Sequence, residues 1–179
     1  MIVHDAGGRP TDEAALAAVE ALHAEIDARA GALHARHAAR LQCRRGCHAC
    51  CIDDLTVSEV EALRIRARAP AVLREPPHPP GACAFLSDTG SCRIYAQRPY
   101  VCRTQGLPLR WIDAEAPGGP VERRDICPRN EAGAPIESLP AADCWELGPV
   151  EGRLATLQAR RDGGAARRVS LRDLFRPGP

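Results

Sequence analysis

Four of the chain's nine cysteines fall within nine residues, in the sequence Cys-Arg-Arg-Gly-Cys-His-Ala-Cys-Cys from Cys43 to Cys51. A short loop that contains a glycine can curl its backbone and present several sulfurs to one centre. The alternative is a set of buried free thiols that act as small apolar side chains. Four thiols in one loop favour the first interpretation, and we predict that the metal ligands include Cys43, Cys47, Cys50 and Cys51.

Composition predicts one small domain whose stability depends on metal bound by this loop. The 179 residues are 45% hydrophobic and 26% charged, which is typical of a globular chain, but only 3% are aromatic. So few aromatic side chains make a thin core, and bound metal can supply the missing stability. We therefore predict an α+β fold for residues 1–179: a small, irregular, metal-stabilised domain with an N-terminal helix (11–42), a cysteine-cluster core (43–127) and a C-terminal extension (128–179).

The charge of the chain excludes several function classes. A formal net charge of +1 gives no long-range field that would attract nucleic acid or an anionic membrane, so neither partner is expected. All 24 basic residues are arginine. Without lysine, neither Schiff-base chemistry nor the P-loop phosphate grip is available.

Residues 1–10 lack the basic and apolar regions of a signal peptide, and no later window approaches the roughly 18 apolar residues of a membrane helix. These features predict a cytoplasmic protein. In a reducing compartment nine cysteines are expected to be ligands or redox groups, and the odd number also argues against a disulfide framework.

Apolar spacing and capping residues predict four helices. The first covers 11–42 with Thr11 as its N-cap, and the second covers 56–68, where Thr-Val-Ser-Glu reads as a capping box. A third helix is predicted at 150–161, and Ser170 is expected to cap a last short one.

One or two short β-hairpins are predicted around the remaining cysteines. The segments 83–86 and 92–95 flank Ser-Asp-Thr-Gly-Ser, a turn sequence that would bring Cys83 close to Cys92. A second hairpin would pair 107–112 with 121–126. Two further predictions concern loops: the proline-rich stretch 75–81 is extended and exposed, and 98–103 forms a helical turn.

The order of these motifs resembles the YkgJ-type cysteine-cluster family, which is described as a zinc- or iron-chelating domain. The shared pattern is Cys-x3-Cys-x2-Cys-Cys, then Cys-x-Phe-Leu, then Gly-x-Cys-x-Ile-Tyr-x-x-Arg-Pro-x-x-Cys-Arg, over residues 43 to about 106. The last block is the most specific part, with matches at Gly90, Cys92, Ile94, Tyr95, Arg98, Pro99, Cys102 and Arg103.

The resemblance implies which residues bind the metal. Carried over position by position, it gives the ligand set Cys43, Cys47, Cys50, Cys51, Cys83, Cys92 and Cys102. Cys127, which precedes a proline, resembles a later Cys-Pro of longer members, whereas Cys144 has no counterpart. Arg98 and Arg103 lie in the motif, and their guanidinium groups are predicted to reach sulfur or nearby backbone carbonyls and so to assist cofactor binding.

Adjacent residues usually direct their side chains apart, so Cys50 and Cys51 are not expected to serve one centre. One of them should turn toward the sulfurs of the block 83–102 and so form a joint site with it.

Eight thiolates exceed the four that one zinc ion or one [4Fe–4S] cluster requires, so either two centres form or some cysteines stay unligated. The all-cysteine set and the Cys127-Pro128 pair favour an iron–sulfur cluster, and Cys-x2-Cys keeps zinc as the alternative. The expected role is redox, metal handling or structural. The protein partner and the oligomeric state stay open.

A metal-dependent enzyme is the alternative function. Cys43, Cys47 and Cys50 have the spacing of the radical-SAM signature, and flagellin lysine methylases resemble this chain in their cysteine cluster. That signature normally follows the first strand of a large partial barrel, whereas here a predicted helix precedes it. We therefore interpret the spacing as coincidence.

Overall fold

A helix of 25 residues, α1 (Asp12–Arg36), opens the part of the chain that the computed structural model describes, which is residues 10–44 and 46–176. Thr11 is its N-cap, as predicted, because the Thr11 hydroxyl oxygen accepts a hydrogen bond from the amide of Ala14 at 3.2 Å. The helix ends earlier than the predicted residue 42, and a turn follows in which Arg40 N–H donates to the carbonyl of His37.

The predicted capping box at Thr56 is wrong. Thr56–Ser58 forms a strand, β1, and the helix that follows, α2, begins at Glu59 and ends at Arg68. β1 pairs antiparallel with β5 (Arg168–Ser170) near the other end of the chain, and this distant pairing keeps residues 56–58 extended.

Proline shapes the region after α2. Pro70 follows the end of α2 and starts a new helical turn, α3 (Pro70–Leu73). Residues 76–79 then form neither helix nor strand and are largely exposed, with His78 half-buried.

The predicted hairpin around Cys83 and Cys92 is reduced to one bridge. Leu86 and Cys92 pair antiparallel across a turn, which is closed by a hydrogen bond from Ser87 N–H to the carbonyl of Ser91. The helical turn predicted at 98–103 is α4 (Tyr100–Arg103), which follows Pro99.

The second predicted hairpin is confirmed. β2 (Leu109–Asp113) and β3 (Val121–Asp125) pair antiparallel, and β4 (Trp145–Glu146) adds to β2 in parallel to give the order β3-β2-β4. The helix predicted at 150–161 is α5 (Pro149–Asp162).

Ser170 was predicted to cap a last short helix. It is instead the final residue of β5, and a 3-10 helix, Arg172–Phe175, follows it. The Ser170 hydroxyl oxygen still accepts a hydrogen bond from the amide of Arg172 at 3.3 Å.

The mixture of helices with two small sheets confirms the α+β class. None of the helices within residues 10–44 and 46–176 combines the length and apolar character that crossing a bilayer demands.

The buried apolar side chains divide into two clusters. The first cluster packs α1 against α5 and the Trp145 strand; its buried members are Val19, Leu22, Ile26, Ala30, Leu33, Val60, Tyr100, Leu107, Trp145, Val150 and Leu154. The second cluster lies between α2, the bridge region and the last 3-10 helix; its buried members are Val57, Ala62, Ile65, Ala69, Cys83, Phe85, Leu86, Ile94, Leu171 and Leu174. Because Cys83 is a member, the second cluster borders the cysteines directly.

Candidate metal centre

All nine cysteines are free thiols, and their exposure differs along the chain. Cys43 and Cys50 are exposed to solvent, whereas Cys83 and Cys144 are buried. The remaining five are half-buried: Cys47, Cys51, Cys92, Cys102 and Cys127.

One set of thiols, here called the first cysteine group, consists of Cys43, Cys47, Cys50 and Cys127. Burial raises the pKa of the Cys43 thiol, and the nearby thiolates of Cys47, Cys127 and Cys50 raise this pKa further. The four sulfurs are therefore close enough for their charges to interact. Cys127, from far along the chain, thus stands beside the first cysteine loop.

Asn130 connects Cys127 to Cys43. Its side chain is fully buried, its Nδ2 donates to the Cys43 sulfur at 3.6 Å and to the carbonyl of Gly106 at 2.8 Å, and its Oδ1 accepts from Gln42 N–H at 2.8 Å. Sequence reasoning missed this residue. The only sequence signal was its position three residues after Cys127. A 3-10 turn lies there, and the backbone N–H of Asn130 donates to the carbonyl of Cys127.

Gly106 faces the same sulfur and leaves no room for a side chain. A Cβ atom at this position would lie 3.0 Å from the Cys43 sulfur and 3.1 Å from Asn130 Nδ2, and the backbone φ is +91°. Glycine is therefore required both by the close approach of the sulfur and by the left-handed backbone.

A second cysteine group consists of Cys51, Cys83, Cys92 and Cys102. The Cys83 amide donates to the carbonyl of Cys51 at 2.9 Å, which fastens the first loop to the later block. Burial raises the pKa of the Cys102 thiol to about 12, and the thiolates of Cys83 and Cys92 contribute to the rise. This second group is more enclosed than the first.

The two groups meet at the adjacent residues Cys50 and Cys51, whose thiols are close enough to interact. This interaction lowers the pKa of Cys50 to about 6 and raises the pKa of Cys51. That Cys50 and Cys51 serve different centres stays a prediction. The contact between the Cys83 amide and the Cys51 carbonyl places the first loop beside the block 83–102, as the predicted joint site requires.

The two predicted cofactor-binding arginines take different positions. The Arg98 guanidinium stacks 3.7 Å from the centre of the Tyr95 ring, and its positive charge lowers the pKa of Cys92 and Cys102 against the larger effect of burial. Arg103 instead donates to the carbonyls of Arg98 and Ala96 at 2.7 and 3.1 Å.

Arg103 also forms an ion pair with Asp27 of α1. Arg103 was predicted to reach sulfur or backbone carbonyls, and it contacts the carbonyls. These contacts fix the position of the segment 96–98, which leads into α4. Arg45, which also flanks the first loop, lies outside the described residues.

His48 is oriented within the first loop by one hydrogen bond. Its Nδ1 lies 2.9 Å from the carbonyl of Gly46, which can only accept, so Nδ1 carries the proton and Nε2 of the neutral ring keeps its lone pair. A Cβ atom at Gly90 would lie 2.8 Å from the ring. The Gly90 of the motif therefore makes room for His48, a contact that sequence spacing alone did not indicate.

A buried carboxylate, that of Glu61, fixes the start of the turn that carries Cys102 of the second group. Glu61 of α2 accepts hydrogen bonds from Tyr100 N–H at 2.7 Å, from the Ser58 hydroxyl at 3.0 Å and from His23 Nε2 at 3.2 Å. Burial raises the pKa of Glu61, but these donors outweigh it and the net pKa is lowered. The ionised carboxylate thus fixes the first residue of the turn that carries Cys102.

Cys144 lies apart from both groups, beside the β2–β3 sheet. Its sulfur is 3.9 Å from Nη1 of Arg124. The charges with the largest effect on its pKa are those of Arg124, Glu122 and Arg110, and no cysteine is among them.

The chemistry of the donors suits zinc or iron, because soft thiolates are the ligands that both zinc and iron–sulfur clusters take. Within residues 10–44 and 46–176, no three histidine, cysteine or acidic side chains lie close enough to hold one ion as they stand. The thiols of each group are neighbours, so binding would require their side chains to rotate and close on the metal.

This fold and these thiols define a small α+β domain of the metal-chelating class. Residues 42–117 match the model of a family described as "CxxCxxCC: Putative zinc- or iron-chelating domain". The matched segment, which is shorter than half of the chain, is similar to the YkgJ-type family that its motifs resemble. The match includes seven of the eight cysteines of the two groups and ends before Cys127. No curated protein and no solved structure matches the chain significantly.

Proposed function

We propose that the chain binds metal through both cysteine groups, with Cys43, Cys47, Cys50 and Cys127 at one centre and Cys51, Cys83, Cys92 and Cys102 at the other. The observation that carries this proposal is the contact between the Cys83 amide and the Cys51 carbonyl, where the two blocks of the motif join. Each group then has the four thiolates that a tetrahedral zinc ion or one [4Fe–4S] cluster requires.

Iron–sulfur clusters, of the [4Fe–4S] type, are the preferred cofactor. The all-cysteine donor set supports them, as does Cys127-Pro128, because its sulfur stands near Cys43. Zinc in the same groups is the alternative. A bound iron–sulfur cluster supplies one-electron transfer, whereas zinc would be structural or a cargo.

The surrounding residues would compensate the negative charge of the thiolates. The Asn130 amide donates to the Cys43 sulfur, and the Arg98 guanidinium lies near Cys92 and Cys102. Such donors stabilise metal-bound sulfur and orient it. A redox, metal-handling or structural role in the reducing cytoplasm is consistent with nine free thiols.

The alternative is a radical-SAM-like or protein-methylation enzyme, for which the spacing of Cys43, Cys47 and Cys50 is the argument. The long α1 before this loop, in place of a barrel strand, supports the binding function instead. Reductive cleavage of SAM to 5′-deoxyadenosine by the reduced protein would favour the enzyme, and its absence would favour the binding function.

Anaerobic purification followed by metal and acid-labile sulfide analysis tests the cofactor. Iron and sulfide in equal amounts, with a visible absorption band that bleaches on reduction, are expected. Zinc without sulfide would favour the alternative cofactor. A chain with neither metal, before and after reconstitution, would contradict the proposed function.

A further inference from the structure

A groove of about 520 Å³ opens beside the first cysteine group. Arg44 and Arg129 contribute to its walls, and Cys47 and His48 also line it. Its volume lies within the range of small-molecule sites, roughly 300 to 1,000 Å³. The groove is therefore large enough for a small molecule and reaches a predicted metal ligand.

The two arginines give this groove an uncompensated positive charge. Neither Arg44 nor Arg129 has a hydrogen-bond or ion-pair partner for its guanidinium within residues 10–44 and 46–176, and both are exposed. No aspartate or glutamate of this part of the chain lines the groove. Guanidinium groups offer a planar fork of donors that matches a carboxylate.

The groove-lining Cys47 belongs to the first cysteine group, which contains the more accessible thiols. Cys43 and Cys50 are exposed, whereas the second group contains the buried Cys83 and three half-buried thiols. Metal can therefore enter and leave the first group more readily than the second. His48 also lines the groove, with its Nδ1 held at 2.9 Å by the Gly46 carbonyl.

We propose that this groove binds a small molecule with several carboxylates between Arg44 and Arg129, and that such a molecule delivers metal to Cys47. The inference rests on the proposed metal binding and adds the chemical class of the donor. On transfer, a metal–carboxylate bond breaks and a metal–sulfur bond to Cys47 forms. The thiol proton passes to the released carboxylate, and no group changes oxidation state.

Metal-free citrate is the probe for the groove. Titration of the isotope-labelled full chain at low salt should shift the NMR signals of residues 42–49 and 129. The double variant Arg44→Gln/Arg129→Gln should bind citrate about tenfold more weakly, because two exposed charge-assisted contacts are lost. The control Arg66→Gln/Arg160→Gln changes the net charge equally at exposed arginines of α2 and α5 and should bind as the wild type does.

Two results of this titration would overturn the inference. Equal weakening in both double variants would show a general charge effect. Tighter binding of hexaglutamate than of citrate, with shifts that extend beyond the groove, would show that the surface recognises an acidic protein segment and not a small molecule.

Uptake kinetics test delivery separately from binding. Metal-free full chain should take up zinc from zinc citrate more slowly when Arg44 and Arg129 are replaced, while uptake from zinc chloride is not slowed and the final zinc per chain is unchanged. Equal slowing from both sources would overturn delivery through the groove. If neither source loads the chain, the proposed function fails, and the citrate titration still decides whether the groove binds carboxylates.

Discussion

Several side chains that are not cysteines determine where the sulfurs lie. Asn130 uses its single amide to join Gln42, Gly106 and the Cys43 sulfur, so one buried residue links three segments that are far apart in the sequence. Its loss would leave the buried Gly106 carbonyl and the part-buried Gln42 N–H without their partner. Such groups carry a penalty of about 1 to 3 kcal/mol each.

Asn130→Leu should therefore lower the free energy of unfolding by about 2 kcal/mol or more. Denaturant unfolding of the reduced chain measures this. Gln42→Ala is the matched control, since Gln42 contributes its backbone N–H and would keep that bond. Equal stability of wild type and Asn130→Leu would contradict the linking role.

Gly90→Ala tests the contact between the first loop and the later turn. Its φ of +72° alone predicts a loss of about 1 kcal/mol or more, and the new Cβ atom would also meet the His48 ring. Gly164→Ala is the control, because φ is +90° there and nothing lies within 4 Å of the added atom. Gly90→Ala should lower the free energy of unfolding more than Gly164→Ala does, and His48→Ala should remove the excess. An excess that persists without His48 would contradict the contact.

Cysteine replacements test the assignment of ligands. Cys47→Ser and Cys102→Ser each remove a thiolate from a different group, so each should lower the bound metal, by up to about half if the centres load independently. Cys144→Ser should leave the metal content unchanged, because Cys144 lies beside Arg124 and apart from the other thiols. Metal analysis of the three purified variants decides this, and equal losses in all three would refute the assignment.

At the scale of elements, the sequence predicted what local patterns encode. The Thr11 cap, the β2–β3 hairpin and α5 follow from neighbouring residues, and all three are present. The strand Thr56–Ser58 was missed because its partner is Arg168–Ser170, and a local pattern cannot report a partner so far along the chain. For the same reason, the sequence did not predict that Asn130 and Cys127 lie beside Cys43.

The buried pair His23–Glu61 couples α1, α2 and α4, and it should make stability depend on pH. Burial lowers the pKa of His23 below its usual value of about 6.5. The folded state therefore binds fewer protons than the unfolded state just below that pH, so stability falls as the pH decreases from about 6.5 toward the folded pKa. The lowered pKa of Glu61 acts in a different window, below its usual value of about 4.5.

His23→Gln should flatten the pH dependence of the free energy of unfolding between about pH 7.5 and 5, because glutamine can still donate to Glu61 but does not titrate. His34→Gln is the control, since His34 lies on the exposed face of the same helix. Unfolding curves at both pH values measure the difference. A wild-type slope that survives in His23→Gln would locate the acid sensitivity elsewhere, for instance in the thiols.

At the scale of the whole molecule, the two apolar clusters depend on the cysteines to different degrees. The first cluster is formed by α1, α5 and Trp145, and the Trp145 indole N–H donates to the Tyr100 hydroxyl at 2.8 Å. The second cluster includes Cys83 and packs partly against Cys51 and Cys92, so thiols are part of its wall. Composition predicted a thin core, but it could not predict that the core is divided.

Strong chelation under reducing conditions should therefore lower the free energy of unfolding by several kcal/mol, because the free energy of metal binding contributes to folding. Without metal, the thiols beside the second cluster would no longer be held together, and residues 43–106 should loosen. Hydrogen exchange should show lost protection at 83–94 and retained protection in α1 and α5, whose packing involves no thiol. An unchanged thermal transition after verified removal of the metal would mean that the centres are peripheral to the fold. Uniform loss of protection, α1 and α5 included, would instead show that the two clusters fold as one unit that requires metal throughout.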